Sequence, residues 1–215
     1  MSKLKQHVQI ETLSNLYTLT DVIGEGGAGR VYGGTDTDGR QVAVKILTGT
    51  SREKRKRFVN ESNFLKRNQH ANLVPVIDDG VSKEGIVGPF YVMPRYSGNL
   101  RGFIGKLSPD NVMPIFSGIL DGVEAAHLLN VIHRDLKPEN ILMNEKGVPA
   151  IADFGIASFT DEHLLTSVDT GPTSRLANFQ YAAPEQRVAG KRVGRPADIY
   201  ALGSMLNELF TGNVP

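Results

Sequence analysis

The sequence predicts an α+β fold, in which a small antiparallel β-rich region precedes a mainly helical region. Residues 17–47 read as strands separated by turn signals. From Ser51 onward the apolar residues recur at intervals of three and four, which is the period of a helix. The helical period returns in residues 108–127 and 198–210, so most of the predicted helix lies in the second half of the chain.

The bulk composition excludes several classes of protein. With 40% hydrophobic and 22% charged residues in 215, the chain is long and apolar enough to bury a core. The 24 Lys and Arg nearly balance the 23 Asp and Glu, which gives no electrostatic case for binding nucleic acid. No cysteine is present, which excludes disulfides, thiolate zinc sites and cysteine nucleophiles and fits a cytoplasmic location. No signal peptide or membrane-spanning run is recognisable, so no membrane segment is expected.

The first predicted strands surround a glycine-rich turn. Residues 17–23 lead into this turn and residues 30–33 leave it. Asp38-Gly39 favours a tight primed turn because both residue types tolerate positive φ, and the next strand follows at residues 41–47. Two further strands are expected at residues 73–77 and 90–93.

Two of the predicted helices have clear sequence signals. In the first, Glu61 shares the phase of Phe58 and Leu65, so its carboxylate is expected to face inward. The second opens with Ser108 as N-cap and Pro109 as first residue, although a further proline at position 114 leaves its start uncertain. One face of this second helix is expected to carry Ile115, Phe116, Ile119, Leu120, Val123, Ala126 and His127.

The glycine-rich turn reads G-x-G-x-x-G over residues 24–29. A dinucleotide-binding turn would be followed by a helix, and a P-loop would continue with Lys and then Ser or Thr. Arg30 and Val31 stand there instead, and a strand follows. The motif alone leaves two alternatives, a plain flexible hairpin or a hairpin whose backbone amides cover nucleotide phosphates.

Residues 133–140, HRDLKPEN, form a densely charged loop between two apolar pairs, Val-Ile and Ile-Leu. An ordinary connection would be short and built from Gly, Asn or Ser. So many ionisable side chains between two buried runs indicate a functional site.

Further motifs give the chain a resemblance to a known family. They are VAVK at residues 42–45, DFG at 153–155, APE at 183–185 and DIYALG at 198–203. In this order, with HRDLKPEN, they resemble a eukaryotic-type serine/threonine protein kinase, a family with bacterial members. The resemblance extends from about residue 22 to residue 213.

The resemblance implies a bilobal fold that binds ATP with Mg²⁺, with Mn²⁺ as an alternative metal. Residues 1–16 would be an N-terminal extension, 17–94 the small lobe, and 95–215 a C-terminal lobe that lacks its last helices. Protein substrates with Ser or Thr acceptors are implied, and a dimer could support autophosphorylation.

The resemblance also implies roles for individual residues. Asp135 would accept the proton of the substrate hydroxyl, and Lys137, typical of the serine/threonine branch, would lie beside the transferred phosphoryl group. Asn140 and Asp153 would bind magnesium through oxygen atoms. Lys45 would contact the phosphates and be held there by Glu61, and the full set of expected nucleotide contacts is Ile23, Gly24, Gly26, Gly29, Val31, Ala43, Lys45, Met93, Pro94, Tyr96 and Leu142.

Other charged residues are expected to have structural or regulatory roles. His133 is expected to pack with Phe154 and Leu65 rather than act as a base, and residues 54–57 are read as a solvated basic helix face. Arg134 could pair with a phosphate on the segment before the APE motif, where the candidate sites are Thr170, Thr173 and Ser174.

Two departures from the family pattern leave other functions open. Residues 177–181, ANFQY, stand where the family usually has a Gly-Thr pair ahead of the tyrosine, and Asn178 is the polar residue that could substitute for the Thr. The sequence also stops after the helix that begins at residue 198. A lobe built this way is expected to expose Leu202, Leu206 and Leu209. The alternatives are an ATP-binding pseudokinase, an inactive truncated scaffold, and a small-molecule kinase, although Lys137 and the APE motif favour protein substrates.

Overall fold

The structure is a computed structural model that describes residues 2–26, 29–49, 51–83, 85–154, 180–188 and 191–215. The chain divides into two compact units. Unit 1 comprises Met1–Gln69 and Val74–Arg95, and unit 2 comprises His70–Leu73 and Tyr96–Pro215. Unit 1 carries a large antiparallel sheet and unit 2 is mainly helical, which confirms the predicted α+β class. Within the described ranges, no helix has both the length and the apolar character to cross a membrane.

Unit 1 is built on a six-stranded antiparallel sheet with the order β1-β2-β3-β4-β6-β5. Its strands are β1 (Ser2–Glu11), β2 (Leu16–Gly26), β3 (Gly29–Thr35), β4 (Gln41–Ile46), β5 (Asp78–Ser82) and β6 (Gly88–Pro94). The pattern of residues 2–11 did not predict a strand, yet β1 pairs with β2 from Ser2↔Val22 to Glu11↔Leu16, with an irregular step between Lys3 and Val8.

The period-two alternation gives this sheet two different faces. One face forms the hydrophobic core of unit 1, made of Ile10, Tyr17, Leu19, Tyr32, Val42, Val44, Ile46, Phe90 and Val92. The opposite side chains of β4 and β6 include Ala43, Lys45, Tyr91 and Met93, all of them buried. The first face therefore stabilises the unit, and the second carries residues that the sequence assigns to a site.

The β3–β4 hairpin is confirmed, but the predicted primed turn is wrong. The strands are joined by residues 36–40, and of these only Gly39 has positive φ, at 79°. The side-chain Oδ1 of Asp36 accepts hydrogen bonds from the amides of Asp38, at 2.9 Å, and Arg40, at 2.8 Å. This local hydrogen bonding by Asp36 favours a longer loop over a two-residue turn.

The strand predicted at residues 73–77 is wrong. Leu73 makes an isolated parallel bridge to Ile151, and the strand of this region begins only at Asp78. Pro75 has no N–H to donate to a ladder, so the buried Leu73 and Val74 cannot continue as a regular strand.

The first helix, α1, spans Arg52–Arg67 in unit 1. Ser51 is its N-cap, and its side chain accepts a hydrogen bond from the amide of Lys54. The buried face includes Phe58, Glu61 and Leu65, which confirms the inward phase of Glu61 predicted from the sequence.

In its described residues, unit 2 contains two long helices and a small sheet. They are α2 (Pro109–Leu128), α3 (Arg195–Thr211), β7 (Gly98–Asn99), β8 (Ile141–Met143) and β9 (Pro149–Ile151). Helix α2 begins at Pro109 as predicted and accommodates Pro114 in its interior. The buried amide of Asn72 donates to the carbonyl of Pro149 at 2.9 Å, and so fixes residues 70–73 to this sheet.

Two predictions about the burial of leucines in unit 2 are wrong, one for Leu120 on the apolar face of α2 and one for the exposed leucines of α3. Leu120 is 42% exposed and does not belong to the buried face of α2. Leu202 and Leu209 are buried, since α2 and α3 pack together, and Leu206 is half-buried. The exposed apolar side chains of α3 are instead Ile199, Tyr200 and Phe210.

Candidate active site

A buried ion pair lies in unit 1. The Nζ of Lys45 is 3.0 Å from Oε1 of Glu61, and the two side chains are only 3% and 5% exposed. Tyr91 donates its hydroxyl to the same Glu61 oxygen at 2.9 Å. The Lys45 ammonium also lies 5.4 Å from the centroid of the Tyr91 ring. The structure therefore brings together the predicted Lys45–Glu61 pair and adds Tyr91, which sequence reasoning missed.

The strand register places several predicted nucleotide contacts in neighbouring positions of unit 1. Gly24 pairs with Val31, Val31 pairs with Lys45, and Ala43 pairs with Met93. Ile23 lies in an irregular step of β2 next to this row. Residues so aligned across three strand pairings share one face of the sheet, because side chains of paired residues point the same way.

On the two sides of the glycine-rich segment, β2 and β3 pair antiparallel as far as Gly26 and Gly29. Gly29 has a φ of 137°, which disfavours side chains, and a Cβ there would overlap the backbone carbonyl of Ile46. Glycine is thus required at this position by the backbone alone.

The charged loop of unit 2 gathers three of the predicted site residues. Lys137 Nζ is 2.8 Å from Oδ2 of Asp135. The side-chain amide of Asn140 donates to the backbone carbonyl of Asp135 at 2.7 Å and to its Oδ2 at 3.2 Å. Asp135 is 46% exposed, so a carboxylate fixed by two neighbours remains open to solvent.

Asp198, on α3, holds the backbone of this loop. Its carboxylate accepts hydrogen bonds from the amides of His133, at 2.9 Å, and Arg134, at 2.8 Å, and lies 2.7 Å from Nε2 of His127. Burial alone would raise the pKa of Asp198, but the His127 hydrogen bond and the two backbone amides together lower it. Asp198 is therefore an ionised anchor for the residues directly before Asp135.

His133 contacts Phe154, one of the two neighbours that the sequence predicted for it. Its ring packs against Phe154 at a centroid distance of 4.6 Å and an interplanar angle of 47°, and its Nε2 lies 2.9 Å from the carbonyl of Ala152. His133 Nδ1 accepts from the amide of Asp135 at 3.3 Å, so Nε2 carries the proton. With both nitrogens engaged, the ring is not a free base.

The donor chemistry of Asn140 and Asp153 fits a magnesium ion. The Asn140 nitrogen is directed at Asp135, which leaves the amide oxygen of Asn140 for a cation. Asp153 has a left-handed φ of 60°, a conformation often found at functional sites. Among the described residues, no group of three or more His, Asp or Glu side chains could hold a metal. Two oxygen ligands suit Mg²⁺, which usually completes its shell with water and substrate phosphate.

Three predicted nucleotide contacts remain. Pro94 is the last residue of β6 in unit 1, whereas Tyr96 and Leu142 belong to unit 2. Leu142 pairs with Ala150 in the small sheet and is half-buried. Burial raises the pKa of Tyr96 to about 12, so its phenol stays neutral.

Several sequence predictions fall outside the described residues. They concern Gly155, Thr170, Thr173, Ser174 and Asn178.

Comparison with known proteins identifies the family of the chain. The family model of the protein kinase domain matches residues 17–215. The chain belongs to the protein kinase family. This confirms the resemblance inferred from the motifs.

Relatives of this kinase domain are named as serine/threonine kinases. It is 37% identical, over 94% of its length, to the probable serine/threonine-protein kinase PknB of Corynebacterium glutamicum, of which it covers 32%. It is 34% identical, over 93% of its length, to the serine/threonine-protein kinase PksC of Streptomyces coelicolor, of which it covers 38%. The receptor-like serine/threonine-protein kinase ALE2 of Arabidopsis thaliana is 35% identical over 97% of the chain, which covers 28% of it. The chain thus spans about a third of the length of these relatives.

The kinase domain also contains a network that sequence reasoning missed, centred on Arg101. Arg101 Nε lies 2.7 Å from Oε1 of Glu139, its Nη2 donates to the hydroxyl of Tyr181 at 2.6 Å, and its Nη1 pairs with Glu208. Tyr181 also donates to Glu208, and burial together with that bond raises the pKa of Tyr181. The network joins the turn that contains Asn140 to helix α3.

Replacing Arg101 with Met is expected to destabilise the protein by roughly 3–5 kcal/mol, because Glu208 is only 1% exposed and would lose its cation. Urea unfolding measures this loss. The exposed Arg192→Met variant is the matched control and should change the free energy of unfolding by less than about 0.5 kcal/mol. Equal unfolding curves for both variants would contradict a stabilising role of Arg101.

Proposed function

We propose that the protein transfers the γ-phosphate of Mg·ATP to Ser or Thr hydroxyls of protein substrates. The observation that supports this most is the cluster in the charged loop, where Asp135 is held by Lys137 at 2.8 Å and by the amide of Asn140. Phosphoryl transfer requires fixed charges around a polyanion more than covalent participation by the protein.

In the proposed reaction, the exposed carboxylate of Asp135 accepts the proton of the substrate hydroxyl. The hydroxyl oxygen forms a bond to the γ-phosphorus as the bond between that phosphorus and the bridging oxygen breaks, which releases ADP. The Lys137 ammonium stabilises negative charge on the transferred group, and Lys45, oriented by Glu61, binds the phosphates. Magnesium at Asn140 and Asp153 would neutralise phosphate charge.

The proposed nucleotide contacts follow from the resemblance to protein kinases. The backbone carbonyl of Pro94 and the amide of Tyr96 bind the adenine edge. The apolar side chains of Ile23, Val31, Ala43, Met93 and Leu142 cover its faces. The glycine-rich hairpin, with Gly24, Gly26 and Gly29, covers the phosphates.

A protein without cysteines suits a reducing compartment, and we place the reaction in the cytoplasm.

A test uses ATP labelled at the γ-phosphate, with Mg²⁺ or with excess EDTA, and three acceptors: a generic Ser/Thr protein substrate, a Glu-Tyr polymer and a mixture of sugars and amino alcohols. We expect metal-dependent label on Ser and Thr of the protein acceptor or of the chain itself. Label on the small molecules alone would contradict a protein kinase. Folded protein that binds ATP and labels nothing would support an ATP-binding scaffold instead.

A further inference from the structure

Gln186 lies in the short 3₁₀ turn Pro184–Arg187. Its side chain accepts one hydrogen bond and donates another. Its Oε1 accepts from the backbone amide of Ala183 at 3.0 Å. Its Nε2 donates to the backbone carbonyl of Arg134 at 2.7 Å. The side chain therefore connects its own turn to the residue immediately before Asp135.

The Arg134 carbonyl belongs to the peptide plane that joins Arg134 to Asp135. The other end of this plane, the Asp135 amide, lies 3.3 Å from Nδ1 of His133. Arg134 itself has a left-handed φ of 66°, which persists only where neighbouring groups hold it. Asp198 holds the preceding amide, at 2.8 Å, and Gln186 holds the carbonyl that follows.

The orientation of this peptide plane sets ψ of Arg134 and φ of Asp135. These two angles determine the direction in which the Cα–Cβ bond of Asp135 leaves the backbone. A change in either angle would displace the Asp135 carboxylate relative to Lys137 and Asn140, which contact it.

Gln is chemically suited to this position because one side chain must both donate and accept. The Ala183 amide can only donate and the Arg134 carbonyl can only accept, so these partners also fix which way round the Gln186 amide lies. An ionised Glu would satisfy the Ala183 amide and oppose the Arg134 carbonyl, and Met would satisfy neither.

We propose that Gln186 is a positioning residue for Asp135, a role that rests on the function proposed above. Through the Arg134 carbonyl it holds the backbone from which the base projects. It acts on the chemical step and not on nucleotide binding.

The test compares Gln186→Met and Gln186→Glu with wild type and with Gln9→Met, a control that removes an exposed amide from β1, in unit 1. We expect kcat to fall about 10–100-fold in both Gln186 variants, since small displacements of a catalytic group have effects of this order. The KM for ATP should stay within about twofold of wild type, as expected when only an interaction of the chemical step is lost. Hydrogen–deuterium exchange at residues 133–136 should accelerate in both variants and remain unchanged in the control.

A Gln186→Met protein with wild-type kcat and wild-type exchange would overturn the proposal. Faster exchange throughout unit 2, with ATP binding lost in parallel, would also overturn it and indicate a general structural role. If wild type itself transfers no phosphate, the proposed function fails, and the exchange measurement still decides whether Gln186 holds this backbone.

Discussion

Replacing Lys45 with Met is expected to abolish phosphate transfer and to destabilise unit 1 by roughly 3–5 kcal/mol, because it leaves the Glu61 carboxylate buried without its cation. The hydroxyl of Tyr91 would remain as a partner of Glu61, but a neutral donor does not compensate a buried charge. The loss of stability is measured by urea unfolding, and transfer by labelled ATP.

A double variant separates the two effects of this substitution. Lys45→Met with Glu61→Gln removes both charges, and the Gln oxygen can still accept from Tyr91. We expect the double variant to recover at least half of the lost stability, since replacing both members of a buried ion pair is often close to neutral. It should still transfer no phosphate, because the ammonium is absent. The exposed Lys146→Met variant is the matched control for stability and transfer.

Two results would contradict this account of the Lys45–Glu61 pair. One is a Lys45→Met protein that unfolds like wild type, which would show that the pair contributes nothing to unit 1. The other is a double variant that transfers phosphate at the wild-type rate, which would show that the pair serves folding alone.

The second large effect is expected from replacing Asp198 with Asn. Its carboxylate accepts from His127 and from the amides of His133 and Arg134, and an Asn amide offers only one accepting oxygen to these donors. One donor would then face the Asn nitrogen, and the free energy of unfolding should fall by about 3 kcal/mol. The peptide before Asp135 would lose its anchor, so kcat should fall by at least about tenfold.

The lowered pKa of Asp198 predicts how this difference depends on pH. A carboxyl whose pKa is lower in the folded than in the unfolded protein stabilises the fold above its unfolded value of about 3.9. That stabilisation is lost as the pH falls through the lower folded pKa. The difference in unfolding free energy between wild type and Asp198→Asn should therefore be constant near neutral pH and shrink below about pH 4. The exposed Asp121→Asn variant should show no such dependence, and a difference that grows on acidification would contradict the assignment.

The density of charge in residues 133–140 predicted a functional site, and the resemblance to protein kinases identified its individual residues. Asp135, Lys137 and Asn140 lie within six residues, and the structure shows them in contact. The Lys45–Glu61 pair was predicted from the resemblance to protein kinases, and the helical phase of Glu61 with Phe58 and Leu65 predicted that its side chain faces inward. Short spacing and period are the signals that a single sequence provides.

The contacts that sequence reasoning missed join distant parts of the chain. Arg101 and Glu208 are 107 residues apart, His127 and Asp198 are 71 apart, and Gln186 and Arg134 are 52 apart. No local pattern indicates such pairs, because tertiary packing alone brings them together. Acidic residues among the apolar residues of α3, Asp198 and Glu208, were the available signal.

The fold errors have similar causes. The apolar run at residues 73–77 resembled a strand, but Pro75 and the Leu73 bridge placed the strand later, at Asp78–Ser82. The Asp38-Gly39 pair indicated a turn correctly, and the Asp36 side chain determined its length. Strand β1 was missed because its pairing with β2 compensates for a weak pattern of its own.

The most direct test of the account compares wild type with Asp135→Asn in single-turnover transfer of labelled phosphate from Mg·ATP, with Asp121→Asn as the exposed control. Asn keeps the size of Asp135 and removes the carboxylate that accepts the proton. The account predicts that Asp135→Asn binds ATP like wild type and transfers phosphate about 10²–10⁴-fold more slowly, the range typical of lost general-base catalysis. Equal transfer rates for wild type and Asp135→Asn would contradict the assignment of Asp135 as the base.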